Sequence, residues 1–290
     1  MKEKLGIQVK SILSTYDPST PQTTADALRA LWLQFEPKST SGIKAELRRK
    51  QETVGTPVPV LKIIGKAVGK EAKKRVDAFI PLTRLLWDDY GREGRVVGLI
   101  PLGLMELVDP EQIMPLLKEM CRTCITWEDA DRLAMDALEP VVRKQPEQWL
   151  PSMEPWLVDD NKWVRRVAVI VVGRLPMKKP EFTARSLALI NLCLFDEEVD
   201  VRKAVSFAIR LCARGDIIRV RDFLEQQVPP DSPAATWVLC DSIRSMNKSF
   251  LPAFTSLLPQ YKAWANDAGL TARERSSIDS AIRTLRNSQA

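Results

Sequence analysis

Apolar residues recur every three to four positions along this chain, in segments that Pro, Gly or Asp often separates. This spacing gives each segment one apolar face when it is helical. Runs of β-branched residues are short and no Asn-Gly hairpin signal occurs, so the pattern predicts an all-α protein. The predicted helices span residues 3–15, 22–35, 43–51, 58–69, 71–88, 91–107, 109–123, 127–144, 146–157, 161–175, 180–194, 198–214, 216–228, 232–247, 249–265 and 271–287.

Two kinds of residue mark the ends and weak points of these helices. Thr126 is placed to cap the helix that begins at Trp127, and Asp129, three residues on, is placed to reach back in a variant of the capping box. Four prolines fall inside predicted helices, where the ring removes a hydrogen bond, so we expect these helices to be kinked or split. These are Pro81, Pro101, Pro115 and Pro140.

The helices repeat with a period of about 36 residues. The segment Trp-Val-Arg-Arg-Val-Ala at 163–168 recurs as Asp-Val-Arg-Lys-Ala-Val at 200–205, close to the Asp-x-x-Val-Arg-x-x-Ala signature of HEAT repeats. A helix pair of this type cannot bury its apolar face alone, so the pairs must stack. We therefore predict a right-handed α-α superhelix, a HEAT-like repeat solenoid of about eight helix pairs, curved with a basic concave groove.

Composition excludes several kinds of active site. The chain has no histidine, so Ser-His-Asp and Cys-His nucleophiles are impossible and the commonest metal ligand is missing. The five cysteines lie scattered on predicted helices and are typical of reduced core thiols. Cys121 and Cys124 have the spacing of half a zinc site, but nothing completes it, so we predict no metal and no cofactor. No apolar run is long enough for a membrane span and residues 1–10 do not resemble a signal peptide, so we expect a cytoplasmic protein without membrane contact.

Charge is distributed in blocks behind a net charge of +6. Residues 44–75 contain ten Lys and Arg against three acids, residues 105–160 contain thirteen acids against five bases, and residues 161–221 contain thirteen bases against six acids. Two basic blocks around an acidic centre are typical of a protein that binds phosphates. The alternative interpretation is that these are the solvated faces of a highly charged repeat protein.

Four charged residues share the repeat spacing. Arg95, Asp131, Arg166 and Lys203 are 36, 35 and 37 residues apart and are predicted to form one row on the concave face. A row that only held phosphates would not include a carboxylate, so Asp131 is a candidate for chemistry. The alternative is that Asp131 forms a structural bridge with Arg132, Arg95 or Arg166.

Three stretches resemble the AlkD-type DNA alkylation repair glycosylases, a HEAT-like family. Residues 55–66, Gly-Thr-Pro-Val-Pro-Val-Leu-Lys-Ile-Ile-Gly-Lys, are similar to the family's entry motif. Residues 127–131, Trp-Glu-Asp-Ala-Asp, are similar to its Trp-x-x-x-Asp motif, and residues 160–168, Asp-Asn-Lys-Trp-Val-Arg-Arg-Val-Ala, to a third motif. The resemblance covers roughly 44–228. We therefore expect residues 1–230 to form the HEAT-like glycosylase domain and residues 231–290 to add helices that continue the same stack.

The resemblance implies a monofunctional DNA glycosylase for base excision repair, acting as a monomer on nucleoid DNA. Such enzymes excise positively charged N3- or N7-alkylated purines from double-stranded DNA without flipping the base into a pocket, unlike most enzymes that act on bases. By motif position, Trp127 and Asp131 would contact the deoxyribose and Arg166 a phosphate. The second aromatic residue of the family, a tryptophan, aligns with Phe207, which is a departure from the pattern.

The predicted chemistry suits these residue types. Trp127 and Asp131 are four residues apart, as are Lys203 and Phe207, so each pair lies on one helix face. A cationic alkylpurine is already an activated leaving group, so a missing histidine is no obstacle. Asp131 would stabilise the oxocarbenium-like sugar and position water. The predicted phosphate contacts are Lys62, Lys66, Lys70, Arg165, Arg166, Arg202, Lys203 and Arg210.

Two other functions fit the same sequence. The first is a non-catalytic HEAT-like protein that binds damaged or branched DNA, for which Phe207 is the best argument. The second is a HEAT scaffold for an acidic protein partner. Among the other aromatic residues, Trp163 is predicted to pack at a helix start instead of lining the groove. The tryptophans predicted to lie in the core are Trp32, Trp149, Trp156, Trp237 and Trp264.

Overall fold

The computed structural model describes residues 2–35, 45–227 and 232–288, except for the side chains of 45–47. Every regular element within these ranges is helical, which confirms the predicted all-α class. The chain divides into two compact units, Met1–Val141 and Val142–Ala290. The boundary that we predicted at residue 230 lies outside the described residues, and a division there stays a prediction.

The first unit is built from two layers of helices. α4 contacts α1 on one side and α6 on the other, and α6 also contacts a π-helical segment, Leu133–Leu138. In the second layer α2 contacts α5, and α5 packs against α6. The helices of this unit are α1 (Lys2–Leu13), α2 (Pro21–Leu33), α3 (Ala45–Lys50), α4 (Val58–Ala72), α5 (Val76–Asp89), α6 (Gly91–Glu106), α7 (Pro110–Arg122), α8 (Trp127–Arg132) and α9 (Glu139–Lys144), the last of which crosses into the second unit.

The second unit repeats this arrangement. α12, α14, α16 and α18 contact one another in sequence and form one layer, while α13, α15 and the 3₁₀ segment Leu251–Leu257 follow one another in the other layer. The C-terminal helices therefore stack on α14 in the same way that α14 stacks on α12. The helices are α10 (Pro146–Trp149), α11 (Glu154–Leu157), α12 (Lys162–Arg174), α13 (Thr183–Asn191), α14 (Val199–Cys212), α15 (Ile217–Glu225), α16 (Pro233–Arg244), α17 (Leu258–Ala265) and α18 (Ala272–Asn287), with short 3₁₀ turns at Pro151–Met153, Leu175–Met177 and Pro180–Phe182.

Side-chain contacts recur across one repeat period, which supports the predicted stacking of helix pairs. Trp87 donates from Nε1 to Thr123 Oγ1 at 2.7 Å, 36 residues away. In the second unit, Ser206 donates to Asp241 at 2.6 Å across 35 residues. Neighbouring pairs are thus joined by polar contacts as well as by their apolar faces.

Three of the four prolines predicted to kink or split a helix do not interrupt it. α5, α6 and α7 run through Pro81, Pro101 and Pro115 without a break. A proline removes one hydrogen bond and crowds the preceding turn, a local cost that packing of the surrounding helix outweighs. Pro140 is different, because the preceding turn widens into the π-helical segment Leu133–Leu138.

The core contains most of the residues that the apolar pattern placed there. Trp32, Trp149, Trp156 and Trp264 are buried, but Trp237 is partly exposed, contrary to our prediction. The five cysteines are all buried and no disulfide joins them, as expected of core thiols. No helix in the described ranges is both long and apolar enough to cross a bilayer.

Candidate nucleic-acid interface

The start of α8 is fixed by the predicted capping box. Asp129 donates its backbone N–H to Thr126 Oγ1 at 3.3 Å, and its carboxylate accepts the backbone N–H of Thr126 at 3.1 Å. The same oxygen accepts the N–H of Ile125 at 3.1 Å. These bonds satisfy donors that a helix start otherwise leaves without partners. They hold Trp127 at the first position of the helix.

Two arginines of α6 hold α8 from the neighbouring repeat. Arg92 donates to both oxygens of Glu128 at 2.8 and 2.9 Å. Arg95 donates to Asp129 at 2.9 Å, and its guanidinium lies 4.4 Å from the centre of the Trp87 ring. Because all four charged side chains are almost fully buried, these pairs constrain α8 more strongly than surface pairs would.

The environment of Glu128 favours the charged carboxylate. Burial alone would raise its pKa, but hydrogen bonds and charge from Arg92 and from Arg132 outweigh burial and lower the pKa. Arg132 lies one turn further along and donates to Glu128 at 2.8 Å. We predicted Arg95 as part of a row of groove cations. It is 7% exposed and forms a hydrogen-bonded ion pair with Asp129.

Trp127 and Asp131 occupy the same face of α8. They are separated by one helical turn, so their side chains project in the same direction. Trp127 is half-buried, whereas Asp131 is 8% exposed. We predicted Asp131 in a row of charged residues on a concave face, and the structure leaves only a small part of the residue accessible. Its neighbours Ala130, Leu133 and Ala134 are fully buried, so Asp131 lies at the edge of the core.

The π-helical segment directly after α8 is held by close contact with α6. A Cβ atom added to Gly103 would overlap the carbonyl oxygen of Asp136, so the two backbones approach more closely than any larger residue allows. The Asp136 carboxylate accepts from Lys62 Nζ at 2.7 Å. Lys62, a predicted phosphate contact, is therefore paired with an acid, whereas Lys66 is exposed one turn later in α4.

The start of α12 contains the third motif. Asn161 caps the helix by accepting the backbone N–H of Trp163 at 2.9 Å. Trp163 is 8% exposed, which confirms that it packs at the helix start. The neighbouring Arg165 donates to both carboxylate oxygens of Asp196 at 2.6 and 3.2 Å and to the backbone oxygen of Asp159 at 2.8 Å. Arg165 thus ties two loops of this unit together.

Two other residues of α12 make similar contacts with the start of α14. Arg166 is 5% exposed and donates to the backbone oxygen of Asp200. Lys162 donates to the Asp200 carboxylate at 3.0 Å, and its ammonium lies 4.8 Å from the centre of the Trp163 ring. The strongest sequence candidate for a phosphate contact, Arg166, is therefore buried between two helices. Its proposed contact with DNA stays a prediction.

Phe207 lies on the α14 helix with an arginine over its ring. The ring is partly exposed, and the Arg210 guanidinium lies 5.6 Å from its centre. Arg210 also donates to Ser206 at 2.6 Å and to Asp241 at 3.3 Å. Burial lowers the pKa of Arg210, and Asp241 partly offsets this effect. Arg210 is thus neutralised by an acid in its own unit.

The predicted phosphate contacts fall into two groups. Lys62, Arg165, Arg166 and Arg210 bind acceptors within the protein. The second group has no ion pair or hydrogen bond of the side chain among the described residues, so its charge is available to a ligand. It consists of Lys66, Lys70, Arg202 and Lys203.

Our sequence reasoning did not identify Arg92 and Glu128 as part of the support for the candidate site. The available signal was their separation of 36 residues, which equals the repeat period. This spacing places opposite charges on α6 and α8. We applied that spacing to Arg95 and Asp131 and overlooked the neighbouring position. In the structure Arg95 pairs with Asp129.

Comparison with known proteins agrees with this arrangement of helices. Residues 27–246 match the family of DNA alkylation repair enzymes. The chain belongs to this family. The match includes the capped start of α8 and the whole of α12 and α14, and it ends before α17 and α18 begin. A role in DNA repair follows from this membership.

One solved structure supports the fold of this family member. The crystal structure of smu.31 from Streptococcus mutans UA159 superposes with a TM-score of 0.51 at 17% sequence identity. It covers 66% of this chain and 99% of that chain. At this identity the likeness concerns the fold alone. The comparison with curated proteins gives no significant match.

Proposed function

We propose that this member of the DNA alkylation repair enzyme family is a monofunctional DNA glycosylase that excises positively charged N3- and N7-alkylated purines. The observation that carries the proposal is Asp131, one turn after Trp127 on a helix whose start is locked by a capping box and two arginines. A catalytic carboxylate must keep its position while charge develops, because preorganised groups need not reorganise during the reaction. The locked α8 helix provides that rigidity.

The reaction requires stabilisation of a sugar cation. The bond between C1′ and the purine nitrogen breaks, and its electron pair neutralises the positive charge of the alkylated base. Water adds to C1′ and gives its proton to Asp131 or to solvent. An ionised Asp131 stabilises the oxocarbenium-like transition state, and the electron-rich face of Trp127 contributes about 0.5–2 kcal/mol. No general acid is required because the leaving group is already cationic.

The direct experiment measures release of 7-methylguanine and 3-methyladenine from methylated duplex DNA. Asp131→Asn keeps the shape of the side chain and removes its charge, so we expect the rate to fall about 100- to 1,000-fold. Glu119→Gln is the matched control, because it removes one negative charge from an exposed pair with Arg84. Base release by Asp131→Asn at the wild-type rate would overturn the proposal.

A second candidate function is the binding of damaged or branched DNA without catalysis. It is favoured by the 8% exposure of Asp131 and by the replacement of the family tryptophan with Phe207, whose ring Arg210 partly covers. This function would give salt-sensitive DNA binding that Asp131→Asn does not change, with no released base. A gel-shift titration beside the base-release assay distinguishes the two functions. Absence of DNA binding at moderate salt would favour an acidic protein partner instead.

A further inference from the structure

A small cavity joins three helices at the C-terminal end of the second unit. It has a volume of about 60 Å³ and lies where α14, α16 and α18 begin. We call it the C-terminal cavity. It is lined by Arg202, Trp237, Thr271, Arg273, Glu274 and Ser277. Only Arg202 was among our predicted DNA contacts, and α18 lies beyond the segment that matches the family.

The charge in this cavity is not neutralised within the protein. Among the described residues, neither Arg202 nor Arg273 forms an ion pair, and Arg202 Nε is buried without an acceptor. The cavity's one acid, Glu274, uses its Oε2 to accept the backbone N–H and the hydroxyl of Thr271 at 2.9 and 2.6 Å. Two arginines therefore face the cavity against one carboxylate that caps its own helix.

The contrast with other arginines of this unit is informative. Arg165, Arg166 and Arg210 each bind an oxygen of the adjoining repeat. Arg202 and Arg273 come from α14 and α18, the two helices that flank α16, and they share a cavity and not a carboxylate. Arg273 is exposed, whereas Arg202 is half-buried and its Nε has no acceptor. A half-buried guanidinium is more stable when an anion completes its hydrogen bonds. The arrangement therefore lacks an anionic partner.

Trp237 adds an apolar wall to the same cavity. We predicted it in the core, but its indole is partly exposed because it lies in the first turns of α16 at the cavity rim. Ser277 contributes a hydroxyl donor one turn after Arg273. Two guanidinium groups, a hydroxyl and an aromatic plate together suit a phosphate attached to an organic residue, such as a phosphodiester next to its sugar.

We propose that the C-terminal cavity binds a backbone phosphate of double-stranded DNA through Arg202 and Arg273, with Trp237 against the adjoining deoxyribose. This inference rests on the proposed function only in taking DNA as the ligand. Packed helices are about 8–10 Å apart, so α14 and α18 are separated by roughly 20 Å across α16. At 3.4 Å per step this distance corresponds to about six base pairs. α18 therefore extends the DNA footprint beyond the part shared with the family.

The test compares binding of an undamaged 12-base-pair duplex and a 20-base-pair duplex by fluorescence anisotropy over a salt series. Wild-type protein should bind the longer duplex more tightly. Arg273→Ala should lose most of that gain, and its salt slope on the longer duplex should fall by about one. Trp237→Ala should weaken binding to the longer duplex in the same direction. Arg283→Ala, an exposed arginine on α18 that does not line the cavity, is the matched control and should bind like the wild type.

Three outcomes separate this proposal from the others. If the wild type releases base and Arg273→Ala binds DNA with the same affinity and salt slope as the wild type, the proposed role of the C-terminal cavity is wrong and the glycosylase proposal stands. If Arg273→Ala removes the length dependence of binding and the wild type releases no base, the proposed role of the cavity is supported and the glycosylase proposal is contradicted. Inorganic phosphate is the third probe. If it binds in calorimetry and Arg273→Ala abolishes that binding without any change on DNA, the site holds a free phosphate and the proposal is wrong.

Discussion

Arg92 and Glu128 form a buried, two-pronged ion pair across one repeat period. The guanidinium donates from Nε and Nη2 to the two carboxylate oxygens at 2.8 and 2.9 Å, and both side chains are less than 10% exposed. Glu128 lies between Trp127 and Asp131, so this pair sets the orientation of the helix that carries both candidate catalytic residues. The stability of the unit and the geometry of the proposed site therefore depend on the same contact.

Arg92→Ala is expected to destabilise the protein by about 3–5 kcal/mol, because it leaves the Glu128 carboxylate buried without its main partner. Urea unfolding followed by circular dichroism gives this value. Arg84→Ala breaks the exposed pair with Glu119 and should cost no more than about 1 kcal/mol. Equal losses for the two variants would show that the buried pair does not hold α8.

The capping box at α8 could be predicted from sequence, whereas the cross-repeat pairs could not. Thr126 and Asp129 are three residues apart, and their geometry is fixed by the helix itself. The contact between Arg95 and Asp129 depends on how two helices from different repeats pack. Local signals determine local contacts, while the choice among neighbouring acids requires the tertiary structure.

Gly103→Ala is expected to disturb the π-helical segment that follows α8. The added methyl group would overlap the Asp136 carbonyl oxygen, which is backbone and cannot move away without shifting the segment. We expect a loss of about 1–3 kcal/mol in unfolding free energy and a lower rate of base release. Gly6→Ala is the control, because a Cβ there meets no atom within 4 Å. Unchanged stability of Gly103→Ala would contradict the close approach of α6 to this segment.

Glu106 should make the stability of the protein depend on pH. Its side chain is fully buried, both carboxylate oxygens lack a hydrogen-bond partner, and burial raises its pKa well above the ordinary value. Since the folded protein keeps a proton that the unfolded chain releases, the stabilisation is complete below about pH 4.5 and is lost as the pH rises through the folded pKa. The unfolding free energy should therefore fall with rising pH, by at most about 1.4 kcal/mol per pH unit.

Urea unfolding at pH 5, 6, 7 and 8 tests this dependence. Glu106→Gln cannot titrate, so the difference between wild type and variant isolates the contribution of this carboxyl group. Glu119→Gln, at an exposed position, should show the same pH slope as the wild type. Parallel curves for wild type and Glu106→Gln would mean that the carboxylate is solvated in the folded protein.

The basic character of residues 161–221 could be predicted from sequence, but the use of each cation could not. Arg165 and Arg202 occupy matching positions in the two copies of the repeated segment, yet Arg165 binds Asp196 while Arg202 faces the C-terminal cavity. The partner of Arg165, Asp196, lies in the loop before α14. Equal repeat positions therefore do not imply equal contacts.

Phe207→Trp tests whether the aromatic face on α14 takes part in the reaction. An indole has a stronger attraction for a cation than a phenyl ring, so a face that stabilises the sugar cation should gain about 0.5–1 kcal/mol, or about two- to fivefold in rate. Single-turnover base release at saturating enzyme measures this step without a contribution from binding. Phe207→Leu keeps the apolar volume and loses the π face, so its rate should fall below that of the wild type. If Leu and Phe support the same rate while Trp only changes the affinity for DNA, the ring packs against the duplex and does not act on the sugar.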